Sequence, residues 1–293
     1  MKFLPLCLLT ALLAGVTACS DAEPPPPPKA VAAAPQPSQE QLMQAVFGKH
    51  YRGKQKDALV DLPDPENREV SSRYLVSPIS LRARPGGEAL LLTNSVMASD
   101  QGEPEFGHAD AGLVSLYRLR WQDGVWKVRL SHIHFDGLGS MGNSGEAQWL
   151  DLSRGRLGLA MHHGGMWQGN TLTLLALYDL SGNQVKSLTK ESIRIASANG
   201  GACAPITEMC WDVTAQWRFV AAAQPGDYDD LVLSFSGSEA TLAEPVGKAE
   251  AVMANGEEVE PKRNVKQVTG SARYRFSDGH YRLVEGTNKV PEI

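Results

Sequence analysis

Histidines offer the first chemistry in this chain of 293 residues. His132 and His134 stand two apart in a run that reads as a strand, which would turn both rings to one face. His162 and His163 close a second such run, just ahead of Gly164-Gly165. Neutral imidazoles are good zinc ligands. His132, His134 and His163 converging on an ion with an open fourth position would make a metal-dependent hydrolase. Nothing in the spacing demands that outcome, and ring nitrogens bonded to backbone are the commoner use of strand histidines. The chain has no H-E-x-x-H, no S-x-x-K pair and no G-x-S-x-G nucleophile elbow. Gly137 to Gly142 follows a G-x-G-x-x-G pattern, yet a strand rather than a helix comes after it. The pyrophosphate site of that motif needs the helix. The leading expectation is therefore a non-catalytic protein that calls for no cofactor.

The cysteines divide by position. Cys7 and Cys19 lie in the first twenty residues, and Cys203 and Cys210 form one later pair. Their six-residue interval does not suit zinc, so a disulfide in an oxidising compartment is the simplest use. Lys2 heads an apolar run from Phe3 to Gly15, too short for a comfortable transmembrane helix. Val16-Thr17-Ala18-Cys19 then resembles the bacterial lipobox, with Val16 where leucine is more usual. The resemblance implies removal of residues 1–18, a diacylglyceryl thioether on Cys19 and a further acyl chain on its amine. Several chains together anchor stably where one does not. Ser20, with Asp21 one place later, implies by the same resemblance the periplasmic side of an outer membrane. An ordinary secretory leader cleaved after Ala18 remains the alternative.

Residues 19–38 carry five consecutive prolines, Pro24 to Pro28, and an Ala/Pro/Gln/Ser tract. Proline fixes φ and donates no hydrogen bond, so this segment reads as a stiff spacer reaching up to about 60 Å. With 28 basic against 33 acidic residues the net charge is −5, and no basic block exists. That argues against nucleic acid as a partner. The expected membrane contact is through lipid alone.

Residues 39–293 read as a single β-rich domain with a short N-terminal helix. Ser38 to Gln41 has the form of a capping box, and Leu42, Met43, Val46 and Phe47 make an apolar stripe that stops at Gly48. Residues 54–72 read as loop. From Arg73 onward, short apolar or alternating runs are separated by turn signals at Pro85-Gly86-Gly87, Asp123-Gly124, Ser181-Gly182-Asn183 and Asp278-Gly279. Residues 98–111 read as a solvated acidic loop and residues 243–262 as an exposed excursion. Tyr117-Arg118-Leu119 and Tyr274-Arg275-Phe276 each precede an Asp-Gly hairpin, a weak repeat. Gly226-Asp227-Tyr228-Asp229-Asp230-Leu231-Val232 resembles the FG-GAP propeller repeats, which implies calcium-binding acids at Asp227 and Asp229. The expected class is all-β, multi-sheet or propeller-like, with a β-sandwich as the alternative.

Met166 and Trp167 lie between glycines, where a turn would expose them. Together with His163 and the 136–145 loop they are the expected rim of a binding surface. The leading functional expectation is a tethered binding module for a protein or envelope component. An immunity-type inhibitor is its special case. The metal-dependent hydrolase and a structural envelope component are the alternatives.

Overall fold

The computed structural model describes residues 35–222, 228–244 and 262–293. The domain is all-β, built from two antiparallel sheets and one short helix. Helix α1 covers Gln39–Phe47 and begins on the expected capping box. The Gln41 N–H donates to Ser38 Oγ at 3.1 Å, and the Ser38 N–H donates to Gln41 Oε1 at 3.0 Å. These bonds satisfy donors that a helix start leaves orphaned.

The first sheet is a six-stranded meander: β1 Tyr51–Arg52, β2 Asp57–Pro63, β3 Ser71–Arg84, β4 Glu88–Met97, β5 Gly112–Gln122 and β6 Val125–Leu138. Strand β2 corrects the reading of residues 54–72 as loop. Its Pro63 is terminal, where a missing N–H costs the ladder nothing. The second sheet has nine strands: β7 Glu146–Leu152, β8 Arg156–Trp167, β9 Asn170–Asp179, β10 Lys186–Ser187, β11 Ile193–Ala198, β12 Met209–Val220, β13 Asp230–Leu242, β14 Arg263–Ser277 and β15 His280–Gly286. Strand β10 is only two residues long and pairs with one half of β9 while β11 pairs with the other.

Three hairpins turn in two residues, both in the left-handed region: Asp123-Gly124, Gln168-Gly169 and Asp278-Gly279. That backbone matches the right-handed strand twist. The repeated hairpins therefore sit inside two long meanders, which is the multi-sheet form of the expectation rather than a set of four-stranded blades. Gly226 and Asp227 of the FG-GAP resemblance, and most of the 243–262 excursion, lie outside the described residues.

Alternation along the strands builds three cores. Leu42, Met43 and Phe47 of α1 pack with Ala89, Leu91, Tyr117 and Leu119 on one face of the first sheet. From its other face Leu90, Leu92, Val114 and Leu116 meet Leu157, Leu159, Met161 and Tyr178 of the second sheet. The far face of the second sheet supplies Ala160, Leu175, Leu177, Val213, Leu231, Leu233 and Tyr274 to a third core. That sheet curls on itself, since the Tyr281 N–H of β15 donates to the Leu188 carbonyl beside β10 at 2.7 Å. The C-terminal tail follows the curl: Arg194 Nε donates to the Val290 carbonyl, and Val290 is fully buried. Both sheets thus hold their loops on a rigid frame.

Candidate functional site

Four loops meet at one end of the sheets, and hydrogen bonds join them in series. The first is the acidic loop between β4 and β5. The Met141 N–H donates to the His108 carbonyl at 3.3 Å, and the Gly142 N–H to that of Asp110 at 2.8 Å. The second is the glycine loop between β6 and β7. Asn94 Nδ2 donates to the Gly142 carbonyl at 2.9 Å, and Ser140 Oγ to the Gly164 carbonyl of β8 at 3.2 Å. The third is the β8–β9 hairpin tip. Its Gly169 carbonyl accepts from the Gly201 N–H of the fourth loop at 3.1 Å. Cys203 and Cys210 close that fourth loop as the expected disulfide, with their Cα atoms 5.5 Å apart. The contacts leave no room for side chains. A Cβ on Gly169 would meet Gly201 C at 2.3 Å, and one on Gly139 would meet Asn143 O at 2.0 Å.

This ridge exposes large apolar side chains. Met166 is 68 % exposed and Trp167 41 %. Met97, Phe106, Met141, Ile206 and Met209 are exposed on the other three loops. Half of the large apolar side chains exposed among the described residues thus belong to these four segments, and single exposed apolar residues elsewhere need no explanation. Trp167 does not fold back into the core. Its ring lies over Gly165, where a Cβ would meet Cη2 at 2.7 Å. Strand β8 runs on through His162-His163-Gly164-Gly165 to Trp167, further than its sequence indicates. Bare glycine leaves room there for Ser140 and the indole.

His162 and His163 have structural partners. His163 is buried, and its Nδ1 accepts the Gly139 N–H at 3.2 Å. Its proton therefore sits on Nε2 and is donated to Ser192 Oγ at 2.8 Å. Serine and histidine at this distance resemble a nucleophile and its base. The tautomer is wrong for that chemistry, because a base must present a lone pair at Nε2 and be steadied through Nδ1–H. Burial holds the His163 pKa below its ordinary value and keeps the ring neutral. His162 is likewise lowered by burial and accepts from Trp217 Nε1 at 3.1 Å.

The convergence of His132 and His134 that the hydrolase alternative requires does not occur, for a local reason. Three residues, Ile133 to Phe135, bulge opposite Ser115, and His134 itself takes φ +49°. His132 pairs with Leu116, on the side of the intersheet core. His134 packs edge-on against Tyr74, on the helix side, at 4.6 Å between ring centres. Its Nδ1–H donates to the Pro63 carbonyl at 3.0 Å. Burial pushes its pKa down to about 4. Among the described residues no three His, Cys, Asp or Glu side chains stand together as a metal site, so His132, His134 and His163 do not assemble one.

Met166, Trp167 and the 136–145 loop are brought together as expected, with His163 beneath them as a brace rather than at the surface. Sequence reasoning missed Met97, Phe106, Met141, Ile206 and Met209. An isolated apolar residue inside a Gly-, Pro- or Asp-rich loop was the available signal. Comparison with protein-family models, curated proteins and solved structures gives no match.

Proposed function

We propose that this chain is a non-catalytic binding module that holds a protein partner through the loop ridge, tethered to a membrane by lipid on Cys19 and the proline-rich segment. The observation that carries the reading is the gathering of Trp167 and four exposed methionines on hydrogen-bonded loops. Tryptophan is enriched at binding hot spots, and unbranched methionine adapts to a partner's contour. A rigid frame also lowers the entropy lost on binding. His134, His162 and His163 support the non-catalytic half of the reading, since each ring is hydrogen-bonded to a neighbouring side chain or backbone group.

The test compares retention of an envelope protein by three immobilised forms. These are the wild type, a ridge variant (Trp167→Ala with Met166→Ser) and a control altered elsewhere on the surface (Val125→Ser with Val128→Ser). One protein held by the wild type and the control but lost by the ridge variant supports the reading. Equal retention by all three contradicts it.

A further inference from the structure

Beside the ridge lies a cavity of about 350 Å³. Its wall is apolar and aromatic, with Tyr74, Val96, Met97 and Phe106 among its lining. The same lining holds four carboxylates, Asp64, Glu66, Glu105 and Asp110, and no Lys, Arg or His. None of the four pairs with a base among the described residues. Asp64 and Asp110 cap backbone N–H groups of their own loops, at 2.9 Å to Glu66 N and 2.6 Å to Gly107 N. Arg68, two residues from Glu66, turns its guanidinium to the carbonyls of Ile133 and His134, at 2.8 and 3.0 Å. One lining group is unusual in another way. Ser95 is 0 % exposed, and its Oγ has no hydrogen-bond partner. A buried hydroxyl without a partner carries a desolvation cost that a polar guest would relieve.

We propose that this cavity takes an organic cation on an apolar stem, an alkylammonium group such as a lysine side chain of the bound partner. The volume lies at the small end for ligand pockets and suits one side chain rather than a larger molecule. The carboxylates draw in a positive head, and the exposed ring of Phe106 favours a cation above it. The apolar wall receives the stem, and Ser95 Oγ meets the head. A hard metal ion does not fit this arrangement, because the carboxylates do not converge as a ligand set. The choice of a partner's side chain rests on the binding reading above; the cation site itself does not.

The test uses the whole folded chain carrying ¹³C-methyl methionine, with the Met97 signal assigned through Met97→Leu. Titrants are Nα-acetyl-lysine amide, its uncharged counterpart Nα-acetyl-norleucine amide, and 1,5-diaminopentane. A saturable Met97 shift with the lysine amide and none with the norleucine amide is expected. Glu66→Gln with Glu105→Gln, both exposed and unpaired, should weaken binding roughly three- to tenfold, within the range for exposed charge pairs. Added salt should weaken the wild type in the same direction. Tighter saturation by diaminopentane than by the lysine amide assigns the cation site to a free diamine; the reverse assigns it to a basic side chain. No saturable shift with either cation, or an equal shift with norleucine amide, overturns the proposal. Equal partner retention by the wild type, the ridge variant and the control, with cation binding intact, would count against the ridge reading alone.

Discussion

Replacing His134 by asparagine should flatten one acid-sensitive step in stability. Asparagine tolerates the left-handed backbone at φ +49°, and its Nδ2 can replace His Nδ1 in the bond to the Pro63 carbonyl. What disappears is a buried ring that must stay neutral. Folded His134 has its pKa pushed down to about 4 from an ordinary 6.5. Between those values the unfolded chain binds a proton that the folded chain refuses. Stability therefore falls as pH drops below about 6.5, and this contribution is fully lost below about 4. The linkage amounts to about 2 kcal/mol between pH 7 and pH 5, and about 3 kcal/mol in the acid limit. The substitution itself removes ring packing on Tyr74 and should cost about 2 kcal/mol at pH 7. Urea unfolding of wild type and variant at both pH values measures the difference. The gap should nearly close at pH 5, because only the wild type carries the penalty. The other buried histidines cancel in the comparison. An unchanged gap would refute the claim that His134 is held neutral by burial.

Three further outcomes follow from the ridge and the cap. Gly139→Ala places a Cβ against Asn143 O in a left-handed backbone, whereas Gly86→Ala has the same φ sign and open space. The first should cost over 2 kcal/mol and the second about 1 kcal/mol, read by thermal melts. Replacing Cys203 and Cys210 together by alanine should lower stability by about 2–3 kcal/mol in the chain-entropy model, and hydrogen exchange at Gly201 should quicken as the tip loses its buttress. Ser38→Ala should cost about 1 kcal/mol and fray α1, measured by urea unfolding and amide exchange at Gln41.

Local chemistry made much of the fold legible. The Asp-Gly pairs turn the hairpins they announce. The capping box at Ser38 forms as written. What escaped was non-local. Strand β2 is polar enough to read as loop, and its place is secured by register with β3, from Ala58 opposite Val76 to Pro63 opposite Ser71. The bulge at His134 depends on Ser115 Oγ receiving its N–H, a bond across strands that no spacing reveals. That bulge turns His132 and His134 to opposite faces of the sheet, so the two rings do not meet. For the site, Met166 and Trp167 were visible because glycines flank them. Phe106 and Ile206 were hidden, because their loops join the ridge only after the sheets bring them together. The cavity carboxylates illustrate the same point: Asp64 and Asp110 come from loops on different strands.

The most direct measurement of the ridge as a binding surface is site-specific photocrosslinking in intact cells. Met166→p-benzoylphenylalanine should give one discrete crosslinked protein on irradiation, and the same residue at Val125 should give none. The yield from Met166 should fall when Trp167→Ala is added. No crosslink from Met166, or an equal one from Val125, would contradict the account.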